Sequence, residues 1–198
     1  KMNPRDIGEI QVASAMPVGE QWTYGGRSVV LLASLPVEVP GIFVDKQCGS
    51  SMSALHLGAM EIMTGYSDLT ISCGIEHMTH NPMGDNPFII PAMDLATEDK
   101  YKHYDMETGF VMGLTAEKLF KEAAEKYGST KEDMDKWALR SHQMAAKAQK
   151  EGYFKDEILP IEITNPDGSK EVIDKDLSVR GDTTLEMIRG LPAAFKEG

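Results

Sequence analysis

The chain has 198 residues, a formal net charge of -11, a pI near 4.9 and 41% hydrophobic residues. That acidic balance argues against a nucleic-acid or anionic-membrane partner, although local basic residues still suit phosphate. The length allows a sizeable core in one large domain or two small ones.

No apolar run approaches bilayer length, and two cysteines, Cys48 and Cys73, make no disulfide framework. A soluble, cytoplasmic protein is therefore expected. In chain order, Asn3 before Pro4 predicts a cap and a short helix to about Gly8. Ile10 to Ala13 reads as a strand, Met16 to Gly26 as a loop, and Arg27 to Leu35 as a mostly apolar helix ended by Pro36. The short run Gly41 to Val44 is a buried strand by its β-branched and aromatic content. After Cys48, Gly49, Ser50 and Ser51, residues Met52, Leu55, Ala59, Ile62 and Met63 recur at helical spacing until Gly65, which predicts a helix with a glycine stop. Leu69 to Cys73 returns as a strand and buries Cys73.

Glu76 to Ala92 carries Asn81, Pro82, Gly84, Asn86, Pro87 and Pro91, the composition of an extended loop. His77 and His80 stand three apart there, near Glu76 and Asp85. Two imidazoles and a carboxylate are common zinc ligands, but a pair at this spacing in a Pro-rich loop reads as loop ordering, and no metal is expected. Two amphipathic helices follow. The first runs from Leu114 to Tyr127, with Ala116, Leu119, Phe120, Ala123 and Tyr127 on one face. The second opens on a capping box of Ser129 and Glu132, with Met134, Trp137, Ala138, Ser141, Ala145 and Ala148 inward until Gly152. Ile158 to Ile163 and Glu171 to Ile173 flank Asn165–Pro166–Asp167–Gly168, a hairpin signal, and a short helix covers Leu185 to Arg189. The alternation predicts an α/β fold with a sheet covered on both faces.

The turn between the strand at 41–44 and the helix carries the chemistry. A thiol on the first turn of a helix faces unpaired N–H groups and the positive end of the macrodipole, which favour the anion. Those N–H groups can also hold the oxygen of a carbonyl attacked by sulfur. Cys48 suits a nucleophile on this pattern, and equally an apolar filler beside a capped helix.

The segment QCGSSMSALHLGAMEIMTGYSDLTISCGIEHM resembles the nucleophile segment of the thiolases, the acetyl-CoA acetyltransferases and 3-ketoacyl-CoA thiolases. MPVGEQ and LPVEVPGIFVDKQC before it, and MGLTAEKLF, EDMDKWALRSHQMAAKAQKEGYFKDEI and VRGDTTLEMIRGLPAAF after it, are similar to successive stretches of that family in the same order. The resemblance implies a layered αβα core domain, partial here, over residues 1–80, and an inserted α+β loop domain over 81–198 that returns to the core at its end. It also implies that sequence is missing at the start, and that a later half bearing the family's HPxGxSG histidine, second cysteine and NEAF asparagine lies outside this segment.

By that resemblance Cys48 forms an acyl-enzyme from an acyl-CoA or 3-ketoacyl-CoA, with coenzyme A thioesters as substrates and no bound cofactor. Val111, Met112 and the stretch with His103 line the pantetheine tunnel. Arg180 meets the nucleotide end of coenzyme A, as a guanidinium can. Val111 stands where many biosynthetic thiolases carry histidine, which leaves chain length open. For Met112 a core position at a helix start is the alternative reading, and for Arg180 the residues alone equally suit an ordinary loop arginine. A tight homodimer or homotetramer is implied. The proton acceptor for the sulfur is expected outside these 198 residues, since His56 lies about two turns down the helix, so the segment alone is expected to be inactive. A non-catalytic acyl-CoA binding or scaffolding protein, and a decarboxylating ketosynthase or hydroxymethylglutaryl-type synthase, are the competing readings. QCGSS and the long loop domain favour the thiolase branch over the last.

Overall fold

A computed structural model describes residues 2–83 and 98–195. Most of the predicted loop between Glu76 and Ala92, Asp85 included, therefore lies outside the described residues. The chain divides into two compact units, Lys1–Ala92 and Met93–Gly198.

In the first unit, strands β1 (Glu9–Ala13), β2 (Gly41–Val44) and β3 (Thr70–Gly74) form a parallel sheet in the order β2-β1-β3. Val12 lies opposite Phe43 on one side and Cys73 on the other. β1 is buried from Ile10 to Ala13, as expected for a central parallel strand covered on both faces. Because successive side chains point to opposite faces, its two sides differ. Ile10 and Val12 pack with Ile7, Val30 and Val39, and Val29, Leu35, Phe43 and Ile71 close around them. Val29 and Val30 come from helix α1 (Arg27–Leu32).

α1 is shorter than the predicted Arg27–Leu35 because Ser34 adopts a left-handed conformation, φ +54°, two residues ahead of Pro36. The Arg27 guanidinium then donates to the Val37 and Val39 carbonyls, tying the exit loop back to the helix start. Ahead of β1, the predicted short helix is a single 3-10 turn, Pro4–Asp6, capped by the Asn3 side chain.

The opposite face of the sheet is polar. Helix α2 (Ser50–Met63) buries Ser50, Ala54, Gly58 and Glu61 against it. Gln11, fully buried, donates from Nε2 to Glu61 Oε1 at 3.1 Å, and Ser72 Oγ donates to Gln11 Oε1 and to the Ala54 carbonyl. A Cβ on Gly58 would lie 2.6 Å from Thr70 Oγ1, so glycine there sets how closely helix and sheet approach. The apolar residues at helical spacing are not the ones that meet the sheet: Met52 is 62%, Leu55 58% and Met63 84% exposed. A close approach lined with hydrogen-bonding groups selects small and polar residues, and the apolar stripe lies on the outer side of this unit.

The second unit contains α3 (Met106–Phe110), α4 (Met112–Tyr127), α5 (Lys131–Lys150), the antiparallel hairpin β4 (Ile161–Thr164) and β5 (Lys170–Ile173), and α6 (Leu185–Arg189). Gly128, φ +68°, closes α4 by donating to the Ala124 carbonyl. The capping box of α5 is Thr130 with Asp133, one residue later than the predicted Ser129 and Glu132. Glu132 instead pairs with Lys136 and Arg189. The predicted inner faces are largely uncovered within the unit: Leu119, Tyr127 and Trp137 are 60%, 72% and 68% exposed. Among its described residues only Asp135 is buried. The hairpin turns on Asn165–Gly168 as predicted, with Gly168 at φ +83° and Asn165 N–H donating to the Ser169 carbonyl.

Beside the polar face, burial and the neighbouring Glu61 carboxyl hold the Glu9 carboxyl above its usual 4.5. A raised pKa means that the folded chain holds this proton more tightly than the unfolded one, so its contribution to stability is lost as pH rises from about 4.5 through the folded value. Glu9→Gln removes the titration. Urea midpoints of the two proteins, measured from pH 4 to pH 8, are expected to shift progressively in favour of the variant as pH rises; parallel curves would contradict this account.

Candidate active site

The passage from β2 to α2 is a tight, internally bonded turn. Asp45 Oδ1 accepts from the Gln47 N–H at 3.0 Å, and Gln47 takes a left-handed conformation, φ +54°, that a side chain of its size rarely adopts. Ser50 holds it there: its Oγ accepts from the Lys46 N–H at 2.8 Å and donates to the Gln47 carbonyl at 2.6 Å. Gly49 and Ser50 N–H groups donate to the Lys46 and Gln47 carbonyls. A turn so constrained presents the next side chain, Cys48, outward.

Cys48 is exposed and stands one residue ahead of Gly49, the cap of α2. It thus precedes the first helical turn, where the sequence spacing had put it, yet remains beside the helix N-terminus. Among the described residues, the N–H groups of Cys48, Ser51 and Met52 find no hydrogen-bond acceptor. The thiol lines a cavity of about 430 Å³ with Ala13, Ser14, Ala15, Gln47, Ser50, Ser51, Gly74, Ile75 and Glu76. These residues come from the carboxyl ends of β1 and β3 and the start of α2, the place where open parallel sheets bind ligands. A Cβ on Gly74 would displace the Ser51 hydroxyl, so glycine there leaves that side chain its place at the cavity. His56 is exposed on α2 and does not line the cavity.

The part of the cavity lining around Glu76 is held by Gln21, which the sequence did not single out. The Glu76 carboxylate accepts from the Ala15 N–H and from Gln21 Nε2, both at 2.8 Å. Gln21 is fully buried; it also donates to the Met16 carbonyl, and its Oε1 accepts from the His77 N–H. No periodicity marks Gln21 or Ser14, so only the fold identifies them.

The other predicted site residues belong to the second unit. Val111 is half-buried and caps α4, with its carbonyl accepting from the Thr115 N–H. Met112, the first helical residue, is 72% exposed, so it is no core residue of this unit. Gly113 beside it abuts the Phe195 ring, leaving no room for a side chain. His103 is exposed, its ring 3.9 Å from that of Tyr104. Arg180 is exposed and makes no ion pair among the described residues, while its N–H donates to Nδ1 of the half-buried His142. The structure thus brings Val111 and Met112 together at one helix start and leaves His103 and Arg180 on separate segments.

Residues 1–198 match the family described as thiolase, N-terminal domain. The chain belongs to the thiolase family. A 3-ketoacyl-CoA thiolase of Vibrio vulnificus strain CMCP6 is 39% identical over 195 residues, covering 98% of this chain and 47% of that protein. One from Bacillus subtilis strain 168 is 37% identical, covering 96% and 48%. Among solved structures, human mitochondrial 3-ketoacyl-CoA thiolase superposes with a TM-score of 0.78 at 28% identity, covering 98% of this chain and 49% of that one. The acetyl-CoA acetyltransferase of Bacillus anthracis gives 0.73 at 31%, covering 99% and 49%. The chain spans about half the length of the curated relatives it matches. The expected α/β thiolase fold is therefore the fold of this chain.

Cys73 lies in β3 among Val12 and its neighbours, and burial pushes its thiol above the usual 9.0. With Cys48 exposed and Cys73 partly covered, brief iodoacetamide treatment followed by peptide mass spectrometry is expected to label Cys48 first. Faster labelling of Cys73 would contradict this description of the turn.

Proposed function

We propose that the complete protein is an acyl-CoA C-acyltransferase of the thiolase type, cleaving 3-ketoacyl-CoA or condensing two acetyl-CoA, with Cys48 as nucleophile. The observation that supports this most is the exposed Cys48 at the mouth of a cavity floored by strand ends, in a chain of the thiolase family. The Cys48 sulfur attacks the thioester or 3-keto carbonyl and takes the acyl group; coenzyme A departs from the thioester, or the enolate of acetyl-CoA from the 3-keto carbonyl, and that enolate is then protonated. The second substrate then removes the acyl group from sulfur. The N–H of Cys48 suits the oxyanion of the tetrahedral species, since it has no other described acceptor.

Coenzyme A thioesters are the substrates in this reading and no resident cofactor takes part. Val111, Met112 and His103 are assigned to the pantetheine side, and the exposed guanidinium of Arg180 to the phosphates at the nucleotide end. Residues 1–80 serve as the nucleophile-bearing part of the core and 81–198 as the loop domain. The complete protein is a cytoplasmic homodimer or homotetramer; one structural relative, the yeast peroxisomal thiolase, is dimeric. Among the described residues the cavity wall holds a carboxylate, Glu76, and no imidazole. The base that takes the thiol proton is accordingly placed outside this segment, and the 198 residues by themselves are inactive.

Thiolysis of acetoacetyl-CoA measured on the full-length protein, on its Cys48→Ala variant and on the 198-residue chain tests both parts. Turnover by the full-length protein, a loss of about 10³-fold or more in the variant and no turnover by the short chain are expected. A variant that keeps its rate overturns the role of Cys48, and an active short chain overturns the placement of the base.

A further inference from the structure

Away from the cavity, the fold assembles a cluster that the spacing of His77 and His80 only half suggested. Glu20 lies in the 3-10 turn Gly19–Gln21, and the two histidines follow β3; one potential ligand atom from each lies within 4.8 Å of the other two. Glu20 Oε1 is 2.6 Å from His80 Nδ1, and the His77 and His80 rings lie 4.0 Å apart. The carboxylate comes from some sixty residues earlier in the chain, so it cannot be read from the local sequence. Of the two acids that the sequence put beside the histidines, Glu76 is engaged with Ala15 and Gln21.

The ligands are exposed but their support is not. Gln21 is fully buried and joins the two segments through the His77 N–H, while the Asn81 N–H donates to the His77 carbonyl at 3.0 Å. The Asn81 side chain is buried against Gly19, the residue before Glu20, and its Nδ2 has no partner among the described residues. The donor heads are exposed on a buried base and already meet one another, with His77 Nδ1 accepting from the His80 N–H at 3.2 Å and His80 Nδ1 against Glu20. In a tetrahedral centre with bonds of about 2.1 Å the donors stand about 3.4 Å apart. The cluster therefore has to contract from one side and open at the Glu20–His80 contact. Side chains that are 61% and 56% exposed can make such changes by rotamer adjustment.

We propose that Glu20, His77 and His80 form a binding site for a borderline divalent cation of the Zn²⁺ class. Two imidazoles and one carboxylate select such ions over Ca²⁺ and Mg²⁺, which prefer all-oxygen shells. The formal charge of -11 concentrates cations near the surface. Water completes the coordination. The ion clips the Gly19–Gln21 turn to the segment after β3, and these are the two segments joined by the Gln21–Glu76 bond at the cavity that Cys48 also lines.

Zn²⁺ titration of the chelator-treated full-length protein, by calorimetry and by visible absorption of the Co²⁺ form, tests the site. It is done with and without Cys48→Ser so that thiolate binding is separated. One ion per chain is expected in both backgrounds, with Zn²⁺ raising the unfolding midpoint. Glu20→Gln and His80→Gln are each expected to weaken binding by roughly 10- to 100-fold and to abolish the rise. Glu20→Gln replaces an exposed group by its near-isostere, so it serves even if the histidine variant folds poorly. No binding, an affinity unchanged from the parent protein in Glu20→Gln and His80→Gln, or binding that disappears with Cys48→Ser alone would overturn the proposal.

Discussion

The first unit depends on a turn that is held against its own preference. A glutamine in the left-handed region is costly by about a kcal/mol or more, and Gln47 is kept there by bonds from Asp45 and from the buried hydroxyl of Ser50. Ser50 is at once the first residue of α2 and the clamp on the turn before it. Helix position and cysteine presentation are therefore one constraint. If the clamp were lost, α2 could remain on the sheet, but the thiol would have no fixed direction and the adjacent N–H groups no fixed target.

A second consequence concerns the two faces of the sheet. The face toward α1 is an ordinary apolar core, and its burial supplies the cohesion. The face toward α2 is knit by Gln11, Ser72 and Glu61, and small residues let the helix sit close. Hydrogen bonds of this sort add little net stability but are expensive to leave unmade. They therefore fix where α2 lies more than they hold it. Because α2 begins at the cavity, this placement extends to the turn that carries Cys48. The second unit is held differently, by caps, a hairpin and exposed ion pairs such as Lys118–Asp105, each worth little in water.

Much of this was legible in the sequence. The strands at 10–13, 41–44 and 69–73 announced themselves by β-branched residues between turn formers, and Gly128 and Asn165–Gly168 marked their turns because few other residues accept those backbone angles. The place of Cys48 between strand and helix was readable from the small residues around it, although those residues alone suited an apolar filler equally. The burial pattern was less legible. Met52, Leu55 and Trp137 read as inward by period, yet the residues that meet their own unit are Ala54, Gly58 and Asp135. Periodicity reports that a helix has an apolar stripe, and not which neighbour that stripe meets. Contacts between distant segments left no local trace at all: Glu20 with His80, Gln21 with Glu76 and Arg180 with His142 join positions far apart in sequence. The shift of the α5 cap from Ser129 to Thr130 is a smaller case, in which two adjacent hydroxyl residues both fit the rule and helix register chose between them.

The central claim is that the Cys48 sulfur, set by this turn, carries the acyl group. Its most direct test is rapid acid quenching of the full-length protein mixed with acetyl-CoA, followed by peptide mass spectrometry. The account predicts an acetyl group on the peptide containing Cys48 that is discharged when coenzyme A is added before the quench. Turnover without any adduct on that peptide, or with the acetyl group on another residue, would contradict it.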